Sequence, residues 1–207
     1  MKIVSAEFVT SAARADGIPR DEVPRIALAG RSNVGKSSLI NALCRSKIAR
    51  TSAAPGKTRL LNFYRLTLEG GPGGLGRWRV YLVDLPGYGY ARGGDDAAAE
   101  LAAVSASYFA DDRSSDLTRG AGVLHLIDAR HPDMASDRDA ARWLETLGVA
   151  RYLVATKIDK LSRNERAKTL KRMETEFGMP ALPVSAASGE GMDELWRTIA
   201  RLVRTAE

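Results

Sequence analysis

The sequence predicts an α/β fold: a mostly parallel, six-stranded sheet with one antiparallel strand and helices on both faces. Six short runs rich in apolar and strand-forming residues stand at 26–29, 61–68, 78–83, 123–128, 152–155 and 182–184. Most are separated by stretches whose apolar residues recur at helical spacing. Strands that alternate with helices join through right-handed crossovers, so they lie parallel and are covered on both sides. Only the second and third runs follow one another without a helix, across the glycine-rich segment 70–76. They read as a hairpin with a long, flexible tip, which supplies the antiparallel strand.

A chain of 207 residues is long enough for one full core and short for two. Residues 25–207 are expected to form a single domain, and residues 1–24, with the turn signals Gly17, Pro19 and Pro24, an extended arm leading into it. Apolar residues at 44% and charged residues at 27% are ordinary for a folded domain. No run approaches the roughly 20 apolar residues of a membrane span, and the N-terminus lacks a signal peptide's apolar core. A cytoplasmic protein with no membrane partner is expected, and the lack of a long exposed apolar stripe favours a monomer. The single cysteine, Cys44, excludes an internal disulfide and a thiolate metal cluster and reads as a core filler. A net charge of +6 leans modestly toward a polyanionic partner such as nucleic acid.

Taken in order, a helix follows residue 35, and 45–59 lacks either periodicity and is expected to be mobile. A helix is expected over 95–110. Ser136 with Asp139 is read as the cap of a helix carrying Trp143, Leu144 and Leu147. Ser162 and Glu165 form a capping box for a helix with Leu170, Met173 and Phe177 on one face, stopped by Gly178. The last helix carries Leu195, Trp196, Ile199, Leu202 and Val203 at helical spacing. Trp143 and Trp196 read as core residues, Trp78 as one that could be exposed, and His125 and His131 as structural or surface residues.

In such a sheet a ligand sits beyond the carboxyl ends of the strands. Four polar stretches occupy those positions: 30–37, 84–87, 156–159 and 185–187. The first reads Gly30-Arg31-Ser32-Asn33-Val34-Gly35-Lys36-Ser37-Ser38, a glycine loop between a strand and a helix. Its backbone N–H groups and the helix N-terminus suit phosphates; Lys36 would meet the β- and γ-phosphates, and the Ser37 hydroxyl would ligate Mg²⁺. In Asp84-Leu85-Pro86-Gly87, Asp84 suits a carboxylate holding Mg²⁺ through water, and Gly87 can bring an N–H to a γ-phosphate. In Thr156-Lys157-Ile158-Asp159, an ionised Asp159 accepts from the two adjacent donors of guanine, which adenine lacks, so GTP and GDP are preferred over adenine nucleotides. The Lys157 stem can lie along the base with its ammonium reaching the phosphate loop. Val184, Ser185, Ala186 and Ala187 form a small-residue loop whose amide could meet the guanine oxygen.

With these elements in sequence, the chain resembles the translation-factor-like class of P-loop GTPases over residues 25–205. The phosphate loop continuing to Asn41, then Pro55-Gly56-Lys57-Thr58, then 84–91, resemble the EngB family, also called YihA or YsxC. The resemblance implies a P-loop GTPase fold and Thr58 as the mobile-loop threonine that ligates Mg²⁺ beside Ser37, with Pro55, Gly56, Lys57 and Arg59 around it. It also implies a GTPase that assists assembly of the large ribosomal subunit through ribosomal RNA and is needed for normal division and septation. Lys36, Thr58 and Gly87 are the expected catalytic residues. Tyr88 stands where Ras-like GTPases carry a water-orienting glutamine. Slow intrinsic hydrolysis is therefore expected, with help from a partner or a monovalent cation. Asn33 is either a potassium ligand, as in related GTPases, or a loop residue tolerant of left-handed backbone. Arg163, Arg166, Lys168, Lys171 and Arg172 concentrate charge on one helix, either a solvated face or a contact to RNA. A ribosome-binding module in which hydrolysis is dispensable stays open beside the switch; a kinase or ATPase conflicts with Asp159.

Overall fold

Strand β2 (Arg25–Gly30), buried along its whole length, is the middle of a seven-stranded sheet. The computed structural model describes residues 1–49, 60–71, 76–88, 103–109 and 120–205. In chain order the other strands are β1 (Lys2–Ala12), β3 (Leu61–Glu69), β4 (Arg77–Asp84), β5 (Gly120–Asp128), β6 (Arg151–Thr156) and β7 (Ala181–Pro183). They lie in the order β1-β3-β4-β2-β5-β6-β7. β3 is antiparallel to both its neighbours and the other pairings are parallel, so one strand runs against the rest as predicted.

The expected count of six is corrected to seven. The first half of the arm is β1, paired antiparallel along the full length of β3 from Lys2↔Glu69 to Ala12↔Leu61. Register shifts between Ile3 and Ser5 and between Phe8 and Thr10 break its period-two alternation, and the strand is mostly exposed. Those irregularities are why no clean strand pattern appears in the sequence.

The helices are α1 (Lys36–Cys44), α2 (103–109), α3 (Ala135–Thr146), α4 (Arg163–Phe177) and α5 (Met192–Thr205). Alternation along the strands sends residues to opposite faces. Ile26, Leu28, Leu82, Leu124 and Leu126 join α1 and α5 in one core; Ala27, Ala29, Phe63, Tyr81 and Val83 join α2 residues Tyr108 and Phe109 in another. A third cluster sets Ile127, Leu153 and Ala155 against Met173 and Phe177 of α4. The two helical tryptophans divide: Trp196 belongs to the core, whereas Trp143 is only partly buried against it.

The Ser162–Glu165 capping box and the left-handed stop at Gly178 (φ 67°) form as read. The cap of α3 does not. Its N-cap is Met134, whose side chain makes no capping bond, because the helix begins at Ala135 and Ser136 already lies inside the first turn. That start turns Asp137 inward, where its side chain is fully buried. Trp78 is also buried, with its indole N–H donating to Gly70 O at the base of the hairpin. The tip at 72–75 and the predicted helix over 95–102 and at 110 lie outside the described residues. No helix among the described residues is long and apolar enough to cross a membrane.

Cys44, the last residue of α1, is buried in the core, and burial pushes its thiol up to about 12. Because the thiolate is the reactive form, alkylation by iodoacetamide near pH 8 is expected to be negligible in the folded protein and rapid in denaturing urea, read by mass shift.

Candidate functional site

Strands β2, β4, β5 and β6 end at Gly30, Asp84, Asp128 and Thr156 on one edge of the sheet, and the predicted stretches converge there. Gly30 is required at the first turn: a Cβ would lie 2.8 Å from Val34 Cγ1 and 2.9 Å from Leu126 O. Asn33 and Gly35 adopt positive φ (64° and 114°), and α1 starts at Lys36 with no side chain capping it. A helix N-terminus left uncapped keeps its N–H groups and dipole for an anion. Asn33 has the left-handed backbone that one of its two readings expects.

Lys36 is buried, and its ammonium donates to Gly30 O (3.0 Å) and Arg31 O (3.4 Å). Two of three donors are thus fixed on backbone and one is left for a phosphate. Ser37 Oγ donates to Asp84 Oδ2 at 3.3 Å, and Asp84 Oδ1 is buried with no hydrogen-bond partner. Burial pulls the Lys36 ammonium down and pushes the Asp84 carboxyl up, while the charge of each opposes the other's shift. A hydroxyl beside a carboxylate with an orphaned oxygen is a hard donor set that fits Mg²⁺ held by Ser37, with Asp84 behind it. Gly87 lies directly on the loop, where an added Cβ would meet Ser32 N at 2.9 Å and Lys36 Nζ at 3.0 Å. Leu85 N–H donates to Leu28 O, which ties the start of this segment to β2.

The base-reading stretch is stitched to the phosphate loop. Thr156 Oγ1 donates to Val34 O (2.8 Å), and Lys157 Nζ donates to Asn33 O (2.6 Å), the reach expected of it. Lys157 itself adopts φ 58° and leads into a short 3-10 turn containing Ile158 and Asp159. Asp159 Oδ1 accepts from Ser185 Oγ (2.7 Å), which holds the carboxyl below its usual range. In the neighbouring loop the amides of Val184, Ser185 and Ala187 are engaged by Ala155 O, Glu190 O and Ser185 Oγ, which leaves Ala186 among the predicted contacts there. Pro55, Gly56, Lys57, Thr58 and Arg59 lie outside the described residues. Asn41 brackets Ala49, which precedes that stretch, by donating to Ala49 O and accepting from Ala49 N–H, each at 2.8 Å.

Sequence reading missed three polar residues here. Asp128 accepts from Lys157 Nζ (3.0 Å) and from Arg130, and these partners hold its carboxyl at about 2 against the opposing effect of burial. His125 Nε2 lies 2.7 Å from Tyr88 Oη, which donates to Asp137 Oδ1 at 2.9 Å; Asp137 Oδ2 accepts from Arg31 Nε at 3.1 Å. A strand-end acid and a buried strand histidine are common as structural residues, so nothing in sequence spacing marked them. The Tyr88 phenol is thus tied to protein groups.

The profile of a family described as 50S ribosome-binding GTPases matches residues 25–157. The probable GTP-binding protein EngB of Anaeromyxobacter sp. (strain K) is 41% identical over 206 residues, covering 98% of this chain and 93% of its own. The chain belongs to the EngB family of GTP-binding proteins. Among solved structures, a probable GTP-binding protein engB shares the fold with TM-score 0.62 and 21% identity over 87% of this chain and 99% of its own. Era, solved with MgGDPNP and nucleotides 1506–1542 of 16S ribosomal RNA, aligns with TM-score 0.66 and 22% identity over 88% of this chain and 57% of its own. As an EngB-family member the chain has a GTPase domain that binds guanine nucleotide, and its fold is the single-domain P-loop GTPase fold.

Burial, reinforced by the Arg151 charge, pulls the His125 imidazole down to about 3. An imidazole in the unfolded chain titrates near 6.5, so between these values the unfolded state binds a proton that the folded state refuses. This contribution to stability is present above about pH 6.5 and is lost as the pH falls toward 3. His125→Gln should therefore lose about 2–3 kcal/mol less than the parent between pH 7 and about 4.5, read from urea midpoints.

Proposed function

We propose that this EngB-family chain is a GTP-hydrolysing switch that assists assembly of the large ribosomal subunit, with slow intrinsic turnover. Supporting it is the meeting, at one sheet edge, of an uncapped helix N-terminus, a buried Lys36 with one donor to spare, and Asp84 with an orphaned oxygen. In this reading Gly30, Arg31, Ser32, Asn33, Val34, Gly35, Ser37 and Ser38 wrap the phosphates, and Lys36 neutralises charge that develops between the β- and γ-phosphates. Ser37 and Thr58 ligate Mg²⁺ with Asp84 behind them; the ion supplies charge neutralisation when bound. Gly87 donates its N–H to the γ-phosphate, Asp159 accepts from guanine, and Ala186 donates to the guanine oxygen. GTP would gather Thr58 and Gly87 inward and hydrolysis would release them.

Slow turnover is supported by Tyr88, whose hydroxyl is held by His125 and Asp137 and so does not replace a water-orienting glutamine. The ribosomal role rests on the family description and on the net charge of +6. On α4, Arg166 and Arg172 are paired with Glu190 and Asp133, so Arg163, Lys168 and Lys171 are the better candidates to meet RNA. A role in division and septation follows from the same family reading, and action in the cytoplasm as a monomer belongs to the same proposal.

Cosedimentation with large ribosomal subunits is expected in GTP or a non-hydrolysable analogue and not in GDP; nucleotide-independent binding favours the module in which hydrolysis is dispensable. Asp159→Asn should weaken GTP by about 10²-fold or more and favour xanthine nucleotides, because an amide offers one donor and one acceptor. Competition for labelled GTP reads this. If Asn33 serves a cation, GTP turnover in potassium exceeds that in sodium at equal ionic strength, and equal rates remove the cation.

A further inference from the structure

We propose that Asp137, acting through Tyr88 and Arg31, is a positioning residue that sets the preference of the nucleotide site for GTP over GDP. The proposal rests on the reading of Gly87 as the γ-phosphate contact. Asp137 lies on α3, outside every stretch that touches nucleotide, yet its buried carboxylate grips both halves of the phosphate end. One oxygen accepts from Arg31, the second residue of the phosphate loop; the other accepts from Tyr88, the residue after Gly87. The same two segments are joined through backbone: Ser32 N–H donates to Tyr88 O (3.1 Å), Ser32 Oγ donates to Gly87 O (3.4 Å), and Arg31 and Tyr88 form an isolated parallel bridge. These bonds favour the position of Gly87 against Lys36, the inward position that GTP also favours.

Counting protons fixes the order of this chain of bonds. Tyr88 has one hydroxyl proton and gives it to Asp137, so its oxygen must accept from His125, which places the imidazole proton on Nε2. His125 Nδ1 then carries a lone pair, buried and without a partner, and Arg151 Nη1 is a buried donor also without one. Arg151 is close enough for its charge to act on His125, and a buried water between them would satisfy both. The reverse order, from a protonated Asp137 through Tyr88 to Nε2, would put a proton on Nδ1 and leave two unpaired donors beside each other. An ionised Asp137 accepts from both Arg31 and Tyr88, and these partners oppose the upward push that burial gives its carboxyl.

The consequence for function is selective. GDP has no γ-phosphate, so a device that only presets Gly87 contributes to GTP and not to GDP. The test measures binding of GDP and of a non-hydrolysable GTP analogue to the full chain and to Tyr88→Phe, Asp137→Asn and the double variant. Each single change is expected to weaken the analogue about tenfold and leave GDP within about twofold. The double variant is expected to be no weaker than the worse single one, since both break one network. Equal weakening of GDP and the analogue, no change in either, or additive losses would overturn the proposal. Gly87→Ala serves as the separate control. If it weakens both nucleotides alike, the γ-phosphate reading of Gly87 fails, whatever the Asp137 variants do. Tyr88→Phe removes a single oxygen, and thermal melts report whether each variant is folded.

Discussion

A cation taken out of water needs compensation, and the site is built around that need at Lys36. Its ammonium is held by the carbonyls of Gly30 and Arg31, where β2 ends, and Asp84 stands near enough to raise its proton affinity against burial. The sheet supplies both. β2 and β4 are parallel neighbours, with Leu28 beside Asp84, so the loop after one strand and the acid at the end of the other share an edge. An incomplete set of partners, one ammonium donor and one carboxylate oxygen, is what makes the edge receptive to phosphate and metal.

Around that charge the loop is braced from three sides. Thr156 and Lys157 hold its far bend through Val34 O and Asn33 O, and Asp128 fixes the lysine that does so. The segment 84–88 leans on Ser32, and Asp137 ties Arg31 to Tyr88. Each brace comes from a different strand end or helix start, so the loop's shape is set by the sheet as a whole. A rigid loop spends less of a ligand's binding energy on ordering the protein.

Much of this was legible in the chain. The glycine loop, Asp84 at the end of β4 and the capping box of α4 are local: each needs only the chemistry of a few neighbouring residues, and each forms where the spacing put it. The single antiparallel strand was legible because the glycine-rich tip permits a hairpin and nothing longer. β1 was not, because its register shifts at Val4 and Val9 scramble the alternation that marks a strand. The start of α3 was misread because Ser136 is a good cap in isolation, while the packed helix begins two residues earlier than that cap would set it and sends Asp137 inward.

The sequence by itself determined that a phosphate is held and that guanine is preferred, since those depend on residue types in fixed local order. Only the tertiary structure decided what Tyr88 does. Its partners His125 and Asp137 lie 37 and 49 residues away along the chain, on β5 and α3, and crossover connections bring them under the loop. A hydrogen bond of 2.9 Å cannot be read from such a separation, because its length is fixed by how three elements pack and not by any spacing between them.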